Sequence, residues 1–212
     1  MAKPLSVSTL LLIGMSATII VGAGEYMLHY IPEGPKGEIS MLENVPLKRA
    51  SIGHFLVVFG APFYFAGYYG LMKLFMANNS LLAGLLFITG VLSFSIGGVW
   101  VSSRYFAAEV LQKSSGTPDF SFYLQSYEYH YQVLIWALRI LIGIVSVIFV
   151  ILILTNQQGL NKWLAIANPI VLLALIMSLL ILFKPLGIHV VPSAMNVAHF
   201  IFFGLLLLQL KR

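Results

Sequence analysis

The sequence predicts an all-α, polytopic integral membrane protein: one domain, a bundle of six transmembrane helices. Two observations predict it. Of 212 residues, 59% are hydrophobic and only 9% charged, against roughly 45–50% apolar and about 25% charged in soluble domains. Apolar segments near the roughly 20 residues that a spanning helix needs recur along the whole chain. The apolar/polar alternation of a transmembrane barrel is absent, so these segments must satisfy their backbone groups as helices.

The segments run approximately from Leu5 to His29, Ser51 to Met76, Leu81 to Tyr105, Tyr123 to Leu154, Trp163 to Phe183 and Ala194 to Leu210. Apolar stretches continue to the last residues, so the first segment reads as a retained helix and not as a cleaved signal. The loop from Ile31 to Ala50 carries "IPEGPKGE", whose prolines and glycines stop a helix, and then "ISMLENV", expected as a short amphipathic piece on the membrane surface. Pro62 should kink the second helix, and Tyr64, Tyr68 and Tyr69 lie below it at a depth where a hydroxyl wants a partner. Ser93 and Gly97 form a small-xxx-small pair for close helix approach. The connectors around Ala77 to Ser80 and Thr155 to Lys162 are tight turns.

No cysteine is present, which excludes thiol redox chemistry, thiolate metal ligation and a cysteine nucleophile. The net charge of +5 is spread over loops and ends without a basic run, so nucleic acid is not an expected partner. Six crossings put both termini on one side with Lys3, Lys73, Lys162, Lys211 and Arg212 and no acidic residue. The opposite side holds every Asp and Glu together with Lys36, Lys48, Arg49, Arg104, Lys113 and Lys184. The purely basic side is expected to be cytoplasmic, which makes the chain a multi-pass cell-membrane protein with cytoplasmic termini.

The same sorting gathers the reactive side chains. Glu25 and His29 end the first helix one turn apart, His54 begins the second, Arg104 ends the third, Glu128 and His130 begin the fourth, and Asn196 and His199 begin the sixth. All five histidines fall towards the face opposite the termini, which reads as a polar basin. Arg139 lies well inside an apolar stretch and cannot shed its charge, so it needs a partner, for which Glu25 is the expected candidate. On its own helix Gln125, Glu128, Gln132 and Arg139 fall on nearly one line, expected as a polar seam facing the bundle interior.

Imidazole and carboxylate without thiolate suit a divalent metal, with zinc favoured and iron or haem the lesser alternatives. The expected ligands are His29, His54, His130 and His199. Glu25 and Glu128 are the candidate acid–base groups, and Arg104 the group that steadies a developing anion. Arg139, Tyr64, Tyr68 and Asn196 are the expected substrate contacts. Histidines from early and late helices resemble the arrangement of membrane hydrolases of the ceramidase and adiponectin-receptor type. The chain departs from them in its six predicted spans and in the single histidine of its last helix, so no residue role carries over.

The expected function is therefore a membrane-embedded, metal-dependent, hydrolase-like enzyme. Its substrate would be a lipid or other small amphiphile in the basin, with membrane lipids as partners and the oligomeric state left open. A proton-coupled transporter or channel and a ligand- or haem-binding sensory protein are the alternatives. Transport is weakened because the terminus-side halves of the helices offer few polar residues to continue a path.

Overall fold

A computed structural model describes residues 4–31, 39–114, 117–157 and 159–210. Most of the described residues are helical, and none of them forms a strand. Among the described residues nine α-helices follow one another: α1 (Val7–His29), α2 (Leu47–Gly60), α3 (Phe63–Phe75), α4 (Ser80–Ser102), α5 (Arg104–Lys113), α6 (Phe120–Leu154), α7 (Pro169–Leu182), α8 (Lys184–Val190) and α9 (Ala194–Leu210). Several are broken halves of one rod. Counted as continuous rods, Val7–His29, Leu47–Phe75, Ser80–Lys113, Phe120–Leu154 and Lys184–Leu210 are long and apolar enough to cross a membrane.

The sixth expected span is shorter than its sequence suggested. Pro169–Leu182 has 14 residues, roughly 21 Å of helix. Its predicted start at Trp163 is a single 3-10 turn, because Asn161 caps that turn and Asn168 then caps α7 afresh, accepting from Val171 N at 3.2 Å with Pro169 in the first turn. The Asn-rich connectors act as helix starts throughout. Asn79 accepts from Leu82 N at 3.0 Å to begin α4, and Ser6 accepts from Thr9 N at 3.1 Å to begin α1.

Two breaks shape the interior. Pro62 separates α2 from α3, as its missing N–H and ring require. Ser103 separates α4 from α5, where the hydroxyls of Ser102 and Ser103 bond back to Val99 O at 3.3 Å and Trp100 O at 2.9 Å and compete with the helical ladder. The bend turns Arg104 inward, where it is 4% exposed.

The helix α1 is the hub, packed on α2, α3 and α9, while α4 joins α3 to α6, and α7 packs on α9 and α8. Contact between α6 and α7 is slight. Small residues set the α1 approaches. A Cβ on Gly24 would sit 2.7 Å from Gly53 O, and one on Gly14 would sit 2.6 Å from Gly67 Cα. The expected Ser93/Gly97 pair packs less tightly. Ser93 is fully buried but spends its hydroxyl on Thr89 O, and a Cβ on Gly97 would make an ordinary 3.6 Å contact with Leu138.

The segment "ISMLENV" forms a 3-10 turn over Ser40–Asn44, with Leu42 and Val45 buried against the protein and Glu43 and Asn44 exposed. Gln112 Nε2 donates to Leu42 O at 3.0 Å and to Val45 O at 2.8 Å. The proline- and glycine-rich run at 32–38 and the charges Lys3, Lys36, Lys211 and Arg212 lie outside the described residues.

The exposed face of the helices is itself apolar, with Ile19, Phe59, Leu81, Ile140 and Leu208 each at least 60% exposed. Where lipid is as apolar as leucine, the helices gain by close packing and by interhelical hydrogen bonds, not by leaving the solvent. A methyl group at Gly24 is therefore expected to part α1 from α2 at an overpacking cost of roughly 1–3 kcal/mol. Thermal unfolding in detergent should show Gly24→Ala well below the native protein. Gly84→Ala, where an added Cβ meets nothing within 4 Å, should match or exceed it.

Candidate functional site

Glu25 lies on α1, 7% exposed, with both carboxylate oxygens facing polar groups. Asn196 Nδ2 of α9 donates to Oε2, and His29 Nδ1 stands 3.9 Å from Oε1. His29 Nδ1 is also 3.1 Å from the carbonyl of Pro192. A carbonyl only accepts, so Nδ1 carries the hydrogen there, and Nε2 is left as the lone-pair nitrogen. That Nε2 is buried and has no hydrogen-bond partner.

Across from this pair stands Arg104, the cation that acts on Glu25 electrostatically. Its guanidinium lies 4.8 Å from the ring of Trp100 and 5.0 Å from that of Tyr131, and Nη2 donates to Tyr131 Oη. Such stacking holds a planar, permanently charged group in one orientation. Arg104 Nε and Trp100 Nε1 are buried N–H groups without an acceptor. The rings of His29 and Trp100 are 6.2 Å apart, centre to centre.

These groups form one end of a cavity of about 680 Å³, within the range of single small-molecule sites. From Glu25, His29, Trp100, Arg104 and Tyr131 it runs between α6 and α7 along Ile135, Leu138, Ile142, Ile170, Leu173, Met177 and Leu180. Ile170 N donates to Ser146 Oγ at 3.2 Å, and contact between α6 and α7 is otherwise slight along it. Met41, from the turn after the first loop, also lines it.

A second polar element adjoins the first. Tyr64 Oη donates to Asn196 Oδ1 at 2.7 Å, and one turn further along both helices Tyr68 Oη meets His199 Nε2 at 2.9 Å. His199 Nδ1 faces Met195 O at 2.9 Å, so its hydrogen sits there and Nε2 accepts from Tyr68. Together these bonds make a two-rung ladder between α3 and α9, and all four side chains are buried. The Tyr68 ring lies against Gly90, where any Cβ would collide with it.

The structure thus brings Glu25, His29 and Arg104 to one cavity, and Tyr64, Tyr68, Asn196 and His199 to the ladder behind it. It does not gather the expected metal ligands. His54 Nδ1 bonds the Ser102 carbonyl at 2.9 Å, capping the end of α4, and its ring packs on Phe55, Tyr105 and Phe106. His130 is exposed and bonds Ser126 O of its own helix at 2.7 Å. Among the described residues no group of three or more His, Cys, Asp or Glu side chains is placed to hold a metal ion.

The expected α6 seam is also corrected. Gln125, Glu128, Gln132 and Arg139 are all exposed, whereas Tyr131, Ile135, Ile142 and Val145 form the buried stripe. Arg139 makes no ion pair with Glu25. It stacks on Trp136 of its own helix at 5.0 Å and lines the cavity with its side chain exposed. Trp100 and Tyr131 were missed, although the signal existed: Trp100 precedes Arg104 by one helical turn, and Tyr131 heads the spacing Tyr131, Ile135, Leu138, Ile142 of one helix face.

Residues 2–212 match the family model described as a family of unknown function, DUF6796, and the chain belongs to that family. No curated protein and no solved structure matches the chain.

The ladder makes a measurable claim. Asn196→Ala removes partners from Tyr64 and Glu25 at once and should destabilise the protein more than Tyr64→Phe, which removes one hydroxyl. A double-mutant cycle between Tyr64 and Asn196 in detergent should give a coupling of about 0.6–1.7 kcal/mol, the range of interhelical hydrogen bonds in membrane proteins.

Proposed function

We propose that this protein is a multi-pass membrane protein of hydrolase-like activity, which takes an amphiphile from the bilayer through the gap between α6 and α7. The observation that carries the reading is the polarity of the cavity. Glu25, His29, Arg104 and Tyr131 lie at one end, Arg139 stands on the exposed side of the α6 wall, and the rest of the walls towards Ile142 and Ile170 is apolar. With α7 as a short sixth crossing, both termini share one face, the cytoplasmic one on the charge argument. The polar end then lies towards the opposite face and the apolar trough towards the membrane centre. A lipid of that leaflet has its head and tail in the same order.

The chemistry of this reading belongs to side chains. Glu25, His29 and Arg104 supply a carboxylate, an imidazole and a fixed cation within one buried site, the mixture that proton transfer and anion stabilisation use. Of the four histidines expected from the sequence to hold zinc, only His29 lines the cavity, and no step is assigned to a metal. A transport path is favoured less. From Glu25 the polar groups lead through Asn196 to the Tyr64 and Tyr68 rungs and end at the Met195 carbonyl, and beyond them Leu11, Leu71, Phe75, Phe203 and Leu206 are buried.

Native mass spectrometry of the protein purified in mild detergent should find about one amphiphile retained per chain. Leu173→Trp fills the trough and should lower retention at least about tenfold, equivalent to ~1.4 kcal/mol, at an unchanged melting temperature. A native protein free of amphiphile, or equal retention in the folded variant, overturns the reading.

A further inference from the structure

We infer that the amphiphile's head is a carboxylic ester and that His29 is the general base of its hydrolysis, an inference that rests on the amphiphile site proposed above. The His29 ring is oriented for that task. Its Nδ1–H is spent on the Pro192 carbonyl at 3.1 Å, with Glu25 Oε1 3.9 Å away on the same side, so Nε2 is the end left to take a proton. A carboxylate behind Nδ1 and an unspent Nε2 in front are the arrangement in which an imidazole acts as a base, with the carboxylate steadying the imidazolium that forms.

The head group's class follows from the donors that remain. Trp100 Nε1–H and Arg104 Nε–H are buried without acceptors, and neither can accept a bond itself. Buried donors call for an oxygen, and donors that gain strength as charge develops call for a carbonyl oxygen on its way to an oxyanion. An anionic head such as a phosphodiester fits less well, because the Glu25 carboxylate shares the polar end with Arg104, and the second cation on the cavity wall, Arg139, is stacked on Trp136 away from that end. A neutral ester leaves that pair of charges balanced. The trough beside Leu173 and Met177 takes the acyl chain.

The step balances without a cofactor. The oxygen of a water bonds to the ester carbonyl carbon while Nε2 of His29 takes one of its protons, and the carbonyl π pair moves onto the oxygen held by Trp100 and Arg104. The pair then returns, the bond from carbon to the alcohol oxygen breaks, and the imidazolium gives its proton to the departing alkoxide. One ester and one water yield one carboxylic acid and one alcohol. Glu25 is a positioning residue and exchanges no proton with the reacting atoms.

The experiment uses the full chain in detergent with 4-nitrophenyl dodecanoate and monododecanoyl glycerol, following released dodecanoate by mass spectrometry in ¹⁸O-water. The native protein and His130→Gln should release the acid with one ¹⁸O atom. His29→Gln should lower kcat by about 10²–10⁴-fold, and Trp100→Phe by about 10²-fold, while both retain bound amphiphile. For Glu25, Glu25→Asp should recover part of the kcat that Glu25→Gln loses, at similar KM. Retention of amphiphile with no release from either ester overturns the ester inference and leaves the binding site standing. Release that survives His29→Gln also overturns it, and a protein that neither retains nor hydrolyses overturns both readings.

Discussion

The buried carboxylate of Glu25 is the group around which the interior is arranged. A charge among apolar helices is costly unless its oxygens are engaged, and Asn196 meets that need while committing its own amide. The carboxylate only accepts, so the amide must turn Nδ2 towards Glu25 and Oδ1 towards the Tyr64 hydroxyl. One side chain thereby ties α1, α9 and α3 together at a single level. The second rung, Tyr68 to His199, repeats the tie one turn away and resists rotation of α9 about its axis.

The tie depends on how closely the backbones run. Gly24 is the neighbour of Glu25 in the chain, and its contact with Gly53 brings α2 against α1 just where the carboxylate leaves the helix. On the far side, the bend at Ser102 and Ser103 frees carbonyls at the end of α4. His54 takes one of them, and the next residue, Arg104, is directed inward instead of along the rod. A histidine that reads as a ligand in the sequence is therefore part of the device that aims an arginine.

That Glu25 and His29 share one side of their helix was legible in the sequence, whereas the direction in which most other groups point was not. Glu25 and His29 could be paired because residues one turn apart on one helix share a face whatever that helix packs on. Tyr64, Tyr68 and Asn196 could be singled out as polar groups within apolar segments. Counting residues to the helix ends also placed His54, His130 and His199 at similar levels. It could not say that His54 faces a helix end, that His130 bonds its own backbone, or that the Gln125 to Arg139 line faces outward. In lipid both sides of a helix are apolar, so patterning that would fix rotation in a soluble protein loses its force. The shortness of α7 was hidden for a different reason: Trp163 to Ala167 is as apolar as a helix turn, and only the cap at Asn168 sets the start.

That short helix bears directly on the proposed chemistry. At roughly 21 Å α7 falls short of a hydrocarbon layer of about 30 Å, and its far end turns at Phe183 into α8, which folds back so closely that a Cβ on Gly187 would lie 2.5 Å from Leu180 Cα. A helix held by α8 and α9, and tied to α6 near its start where Ile170 N donates to Ser146 Oγ at 3.2 Å, has the cavity along the rest of its α6 side. The continuation of the α8 segment, at Pro192, supplies the carbonyl that orients His29. The same stretch of chain that lines the cavity thus sets the tautomer at its polar end. In the proposed reaction, the route by which an apolar chain enters and the nitrogen that receives the proton follow from one feature, the break between α7 and α9.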